Sequence, residues 1–194
     1  MIHSVTVYCS SSRHIDPAYH QAATDLGRRI AEHHLSLVYG GNDLGLMKSL
    51  ADGAREAGGK VIGVTPRLFV DQGVADQRCD ELIVTETMRQ RKEALEQRGD
   101  AFIALPGGFG TLEELFEIIV GRALGYHDKP IVLLNVRGFY DPLLAMIAHA
   151  TAEHFIRPAA LRAYFVASNV NAAIAHLQRA QHHLPTADPP KDVE

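Results

Sequence analysis

The stretch AFIALPGGFGTLEEL, residues 101–115, sets a proline and three glycines between an apolar run and the start of a helix. Other short apolar runs, many of them rich in β-branched residues, alternate with stretches of helical period along the chain. Strands that are almost wholly apolar and are separated by helices indicate a parallel sheet that is covered on both faces. The sequence therefore predicts an α/β fold, a Rossmann-like three-layer arrangement of a central parallel sheet with helices on both faces.

The same alternation predicts the individual elements. The predicted strands are the runs SVTVYC, LSLVYG, KVIGVT, ELIVT, AFIAL, PIVLLN and YFVAS. The predicted helices span residues 16–34, 44–57, 88–98, 112–124, 142–154 and 170–182. Residues 66–80 join two predicted strands without a clear helical pattern, and a connection of this length usually binds a ligand or covers a site. A plain surface excursion is the alternative for this segment.

Length and composition bound the class of protein. The chain has 194 residues, of which 46% are hydrophobic and 22% charged, as expected for one globular domain, here residues 1–184. Residues 185–194, PTADPPKDVE, are proline-rich and charged, and we expect them to be disordered. The net charge of -4 disfavours nucleic acid as a partner. Two cysteines and no long apolar run predict a cytoplasmic protein that does not bind membranes.

The residues that follow the predicted strands are unusual. Ser10, Ser11 and Ser12 follow the first strand, Gly40, Gly41 and Asn42 the second, and residues 86–92 and 106–111 two others. Ligands of an open parallel sheet bind in the crevice outside the carboxyl ends of its strands. Because these segments are small or cationic, we expect them to form one ligand site. The eleven histidines form no recognised ligand pattern, so we expect no metal.

The glycine-rich loop has two interpretations. Thr111 and Glu114 have the spacing of a helix capping box, in which the glutamate returns to a backbone N–H and the glycines only make a turn. Alternatively, Gly107, Gly108 and Gly110 expose amide donors beside the positive end of the helix dipole, where a phosphate binds well. We favour phosphate binding, because one glycine usually suffices for a turn. In that case Glu114 lies in the first helical turn as an ionised carboxylate facing a sugar.

The predicted helix over residues 88–98 presents cations on one face. Met88, Arg91, Lys92 and Leu95 follow each other at helical spacing, and Thr87 can cap the helix. This stripe is typical of a helix whose first turn borders a polar pocket. The alternative is a solvated face, on which Lys92 pairs with Glu96 and Arg91 contacts water.

Several of these motifs together resemble those of one protein family. PGGFGTLEE is similar to the P-G-G-x-G-T-x-x-E signature of the Lonely Guy (LOG) family, the cytokinin riboside 5'-monophosphate phosphoribohydrolases. YGGNDLGLM, MRQRK and LGYHDKPIVLLN resemble three further segments of that family, in the same order. The resemblance runs from the first strand to about residue 169.

The resemblance implies hydrolysis of the N-glycosidic bond of an N6-substituted adenosine 5'-monophosphate, with AMP as a related substrate and without cofactor or metal. It implies a homodimer or a higher homo-oligomer. It places the catalytic arginine and glutamate at Arg91 and Glu114. Combined with the strand-end pattern, it predicts that the substrate is bound by Ser11, Gly40, Gly41, Met88, Lys92, Gly107, Gly108, Phe109, Gly110 and Thr111.

The sequence departs from the family pattern at six positions, which are Ser10, Asn42, Lys48, Arg89, Val120 and Gly121. The first three could alter the floor of the nucleotide pocket, and the last two could reshape its base end. The base preference therefore stays open. A non-catalytic nucleotide-binding or carrier protein of the same superfamily is the alternative function.

Overall fold

The computed structural model of the protein describes residues 1–181, and within them a parallel sheet of seven strands forms the middle layer. The strands are β1 Ser4–Tyr8, β2 Ser36–Tyr39, β3 Val61–Pro66, β4 Glu81–Thr85, β5 Ala101–Ala104, β6 Ile131–Leu134 and β7 Phe165–Ala167. Their order in the sheet is β4-β3-β2-β1-β5-β6-β7, and every strand pairing is parallel.

Helices follow the strands and cover both faces of the sheet. They are α1 Pro17–Glu32, α2 Gly45–Glu56, α3 Arg67–Asp71, α4 Met88–Arg98, α5 Phe109–Ala123, α6 Asp141–Ala152 and α7 Val170–Gln181. Two short 3-10 helices, Val136–Gly138 and Pro158–Ala163, lie in the last third of the described chain.

Alternate residues of the strands face two separate apolar layers. Val5 and Val7 of β1 pack with buried residues of α1, α2 and α7. Tyr8 packs on the other side with buried residues of α4 and α5, and with Tyr140 at the start of α6. Since successive side chains of a strand point to opposite faces, a strand with helices on both sides must be apolar throughout. This confirms the Rossmann-like three-layer prediction.

Two local predictions were wrong in detail. Helix α5 begins at Phe109, three residues before the predicted start at Leu112. Residues 66–80 contain a short helix, α3, although no helix was expected there. The predicted disordered tail lies outside the described residues, and the domain boundary at residue 184 stays a prediction. Within residues 1–181, no helix combines the length and apolar character that a bilayer crossing requires.

The side of the sheet on which the chain adds new strands changes between β1 and β5, which are neighbours in the sheet. The chain builds outward from β1 through β2, β3 and β4, and then outward from β5 through β6 and β7. The connections on the two sides therefore diverge and leave a crevice beyond the carboxyl ends of these strands, where open α/β sheets bind ligands.

Candidate active site

A cavity of about 280 Å³ opens at this edge of the sheet. Eight of the predicted site residues line it, namely Ser11, Met88, Arg91, Lys92, Gly108, Gly110, Thr111 and Glu114. They come from three separate connections, which follow β1, β4 and β5 and include the helices α4 and α5. The sequence prediction that these segments meet at one place agrees with this arrangement.

A buried ion pair joins the two predicted catalytic residues. The Arg91 Nη1 atom donates to the Glu114 Oε1 atom at 2.7 Å, and the two residues are only 3% and 7% exposed. Arg91 also donates from Nε to the Val64 carbonyl at 3.0 Å and from Nη2 to the Gly40 carbonyl at 3.3 Å. Three hydrogen bonds therefore hold the Arg91 guanidinium in place. The alternative interpretation, in which Arg91 contacts water on a solvated face, was wrong.

Local sequence explains why Arg91 reaches this position. Thr87 and Gln90 form a capping box that starts α4 at Met88, and this puts Arg91 on the inner face one turn later. Gly40 has no side chain in the space that the Arg91 guanidinium occupies, where a Cβ would collide with the Nη2 atom. Gly41 follows with a φ of +70°, a conformation that favours glycine. These two glycines do not line the cavity; they let the arginine and the neighbouring backbone pack.

The Glu114 side chain does not cap helix α5. Because α5 begins at Phe109 with Gly108 as its N-cap, Thr111 is the third residue of the helix and Glu114 lies in the second turn. The capping-box interpretation and the placement in the first turn were therefore wrong. Burial raises the pKa of the Glu114 carboxyl, and the Arg91 guanidinium acts in the opposite direction.

The start of α5 offers backbone donors to the cavity. The amides of Phe109, Gly110 and Thr111 donate to no other residue in the described part of the chain, and Gly108 provides no side-chain cap. A Cβ at Gly108 or Gly110 would meet nothing within 4 Å, so a ligand can approach this backbone. Gly107 differs, because a Cβ there would collide with the Thr111 side chain. An anion fits beside such a helix start.

Lys92 is paired with two glutamates of α5. Its Nζ lies 2.8 Å from Glu113 Oε1 and 3.2 Å from Glu117 Oε2, so the alternative interpretation, in which Lys92 pairs with Glu96, was wrong. The hydrogen bond to Glu113 raises the pKa of Lys92, although its partial burial acts to lower it. Glu113 lines the cavity and links α5 to α4 through Lys92.

The connection over residues 66–80 closes one side of the cavity. Phe69 of α3 lines the cavity, and Ala75 forms an antiparallel bridge with Asn42. Asp76 anchors this connection: its backbone amide donates to the Gly41 carbonyl at 2.8 Å, and its buried carboxylate accepts from the Tyr39 hydroxyl at 2.8 Å. Of the two interpretations, covering a site therefore describes this segment better than a surface excursion.

Other residues were misplaced or missed by the sequence reasoning. Four predicted substrate-binding residues do not line the cavity, namely Gly40, Gly41, Gly107 and Phe109, and their contact with a substrate stays a prediction. Ser10, Ser12 and Asn42 also line it, as expected for residues that follow strands. The residues that line it without having been predicted are Cys9, Met47, Phe69 and Glu113. The other four positions at which the sequence departs from the family pattern do not line this cavity, namely Lys48, Arg89, Val120 and Gly121.

Comparison with known sequences gives two kinds of match. The sequence model of a family described as "possible lysine decarboxylase" matches residues 47–177. A cytokinin riboside 5'-monophosphate phosphoribohydrolase of Rhodococcoides fascians is 46% identical over 176 residues, which cover 90% of this chain and 89% of that protein. The phosphoribohydrolase LOG5 of Arabidopsis thaliana is 41% identical over 174 residues, covering 90% of this chain and 76% of that protein.

Comparison with solved structures shows the same fold. A molybdenum cofactor binding protein from Rippkaea orientalis has a TM-score of 0.71 and 24% identity, covering 92% of this chain and 96% of that one. The Moco carrier protein of Chlamydomonas reinhardtii has a TM-score of 0.70 and 25% identity, covering 93% of this chain and 98% of that one. The sequence relatives are much closer, and they cover most of both chains. With its signature loop, its buried Arg91–Glu114 pair and these relatives, the chain belongs to the LOG family of cytokinin riboside 5'-monophosphate phosphoribohydrolases.

Proposed function

We propose that this protein hydrolyses the N-glycosidic bond of adenosine 5'-monophosphates, N6-substituted ones included, to free base and ribose 5-phosphate. The observation that carries the proposal is the buried Arg91–Glu114 pair in the wall of a cavity. The same cavity holds a helix start whose first amides have no acceptor among residues 1–181. The curated relatives at 41% and 46% identity bear the name of this activity.

The 5'-phosphate binds at the start of α5. The amides of Phe109, Gly110 and Thr111 face no competing acceptor among residues 1–181, and the helix dipole adds positive potential there. Lys92 contributes less, because two glutamates already surround its ammonium group. Backbone recognition of the phosphate explains why a nucleoside, which lacks that group, would be a poor substrate.

The ribose then faces the Glu114 carboxylate. In its ionised form, this carboxylate stabilises the positive charge that develops at the anomeric carbon, and it accepts a proton from the attacking water. The water oxygen forms the new bond to the anomeric carbon, and the electron pair of the broken bond stays with the base, which takes up a proton. Arg91 favours the ionised form of Glu114 against the effect of burial, and it fixes the direction of the Glu114 Oε1 atom.

The description "possible lysine decarboxylase" does not fit Lys92. A lysine that forms a Schiff base with a cofactor needs a lowered pKa. The Lys92 pKa is raised instead, first by its hydrogen bond to Glu113. The contacts of the Lys92 ammonium with Glu113 and Glu117 also favour its charged form, which cannot attack a carbonyl.

Incubation with AMP and with isopentenyladenosine monophosphate, followed by chromatography for free base, tests the proposal. We expect base release from both monophosphates, little from the matching nucleosides, and none from a Glu114→Gln variant with an unchanged circular dichroism spectrum. Glu93→Gln on the exposed face of α4 is the matched control and should retain full activity. Tight nucleotide binding without base release would instead establish a carrier protein.

We also propose that the chain forms at least a homodimer through the outer face of α5. Phe116, Val120 and Leu124 follow one another at helical spacing and are 39%, 52% and 64% exposed. Such an apolar stripe is costly in water and is typical of an interface between copies. Val120→Glu should shift the mass measured by light scattering towards the monomer. Asn171→Glu, an equal charge at an exposed position of α7, should not.

Three further expectations remain predictions from the sequence. They are a cytoplasmic location, the absence of a nucleic-acid partner, and activity without a metal or cofactor. Activity after exhaustive treatment with a chelator is the simplest measurement for the last of these.

A further inference from the structure

Asn42 lines the cavity, and the oxygen of its side-chain amide is buried without a hydrogen-bond partner among the described residues. The residue is 5% exposed, and its Oδ1 atom accepts no hydrogen bond from any residue that the structure describes. Buried side-chain amides are normally paired, because an unpaired polar group inside a protein costs free energy. A group of this kind beside a cavity is satisfied by what enters the cavity.

The backbone does not require an asparagine at this position. Asparagine is often selected where φ is positive, but here the positive φ of +70° belongs to Gly41, and Asn42 lies outside that region. The structural contact of Asn42 is its bridge to Ala75, which depends on main-chain atoms. The side chain is therefore free to serve recognition.

The strand order tells which end of a nucleotide Asn42 would meet. The amides at the start of α5 follow β5, Asn42 follows β2, and β1 lies between these two strands. Neighbouring strands are about 4.8 Å apart, so the ends of β2 and β5 are separated by about 10 Å across the sheet edge. A nucleoside monophosphate whose phosphate lies at α5 spans such a distance with its base. Phe69 and Met47, which also line the cavity, offer apolar surface to a flat ring.

We infer that the side chain of Asn42 recognises the adenine base of the substrate, with Oδ1 accepting from the N6 hydrogen and Nδ2 donating to N7. An asparagine amide matches this edge of adenine with both of its groups. The inference rests on the proposed function, because it takes the phosphate position from it. An adenine with one N6 substituent keeps one N6 hydrogen, so the same pairing admits modified bases. Hypoxanthine presents an oxygen at position 6, and two acceptors would then face each other.

The test compares AMP with inosine monophosphate in the wild type and in Asn42→Ala. We expect kcat/KM for AMP to fall about 5- to 100-fold in the variant, while kcat/KM for inosine monophosphate changes by less than about twofold. Asn42→Ser, which keeps one hydrogen-bonding group, should fall between the two and guards against misfolding of the alanine variant. Gln97→Ala removes an exposed amide from α4 and is the matched control, with no expected change in either substrate.

Each other outcome overturns the inference. An equal loss for both nucleotides would assign Asn42 to the sugar or the phosphate, and a loss with AMP but not with 2'-deoxy-AMP would assign it to the ribose hydroxyl. Unchanged kinetics in both variants would leave the amide without a role in recognition. If the wild type releases no base from any monophosphate, the proposed function fails by itself. Calorimetric binding of AMP and inosine monophosphate then still decides whether Asn42 discriminates between them.

Discussion

Replacing Arg91 with alanine leaves the Glu114 carboxylate buried without a counter-ion. The two residues are 3% and 7% exposed, and their charged atoms lie 2.7 Å apart. The substitution also removes the donors that the carbonyl groups of Val64 and Gly40 receive from the guanidinium. The variant therefore combines an unpaired carboxylate with two backbone carbonyl groups that have each lost a hydrogen-bond donor at the centre of the site.

The loss of stability follows from these contacts. Breaking a buried ion pair by removing one partner costs about 3–5 kcal/mol. For a chain of this size, each kcal/mol shifts the melting temperature by about 2–4 °C, so we expect a decrease of about 6–20 °C. Arg91→Ala combined with Glu114→Gln should be more stable than Arg91→Ala alone, because the neutral amide does not need a counter-ion.

The sign of the pH dependence identifies the cause. Burial raises the pKa of Glu114 and Arg91 opposes this rise, so the pKa in the alanine variant is higher still. Above the ordinary value of 4.5, the unfolded chain ionises Glu114 freely while the folded chain resists ionisation. The variant should therefore be closest to the wild type at about pH 5 and should fall furthest behind it at about pH 7.5.

Urea unfolding followed by far-ultraviolet circular dichroism measures these differences, because the chain contains no tryptophan. Protein concentrations must be equal, since assembly contributes to stability. Arg28→Ala removes an exposed arginine whose side chain is 45% accessible, and it should cost less than about 1 kcal/mol. A loss of similar size in Arg91→Ala, or a loss that is the same at both pH values, would refute the reasoning.

Three further predictions concern the same region. The rate of base release should fall as the pH decreases through the pKa of Glu114, with the acid limb of the kcat/KM profile above pH 4.5, because burial raises this pKa; an acid limb below that value would contradict a buried general base. Gly108→Ala should weaken nucleotide binding at unchanged stability, whereas Gly107→Ala should lower the melting temperature, because only the second Cβ collides with the protein; competition binding and thermal scans distinguish the two. Asp76→Asn should destabilise the protein at neutral pH. Burial acts to raise the pKa of the Asp76 carboxyl, but its hydrogen bonds and ion pairs outweigh burial and lower the pKa. The stability difference between variant and wild type should therefore shrink as the pH falls below the ordinary value of 3.8, which urea unfolding across this range measures.

The sequence by itself determined the elements and their layers. Seven apolar runs and six helical stretches are local patterns, and the strands they predict are present in the structure. The fully apolar character of runs such as AFIAL required helices on both faces. Ligands of such sheets bind beyond the carboxyl ends of the strands, and this rule predicts that the serine, glycine and arginine segments lie at one edge of the sheet.

Local patterns were less reliable where one residue had two possible partners. Thr111 and Glu114 fit a capping box by spacing, yet the helix begins three residues earlier than predicted and the glutamate is free to turn elsewhere. Lys92 and Glu96 fit an ion pair within α4, yet Lys92 contacts Glu113 and Glu117 across the gap to α5. In both cases the side chain pairs with a residue of another helix, because the folded chain brings that residue closer than the partner in the same helix.

The sequence alone thus decided which residues gather at the carboxyl edge of the sheet, because hydrophobic period and strand–helix alternation are properties of neighbouring positions. Only the tertiary structure decided which of them touch. Arg91 and Glu114 are 23 positions apart, and their pairing depends on the order β2-β1-β5 and on the space that Gly40 leaves open. The unpaired amide oxygen of Asn42 likewise became visible only in the tertiary structure, since burial is a property of the whole fold.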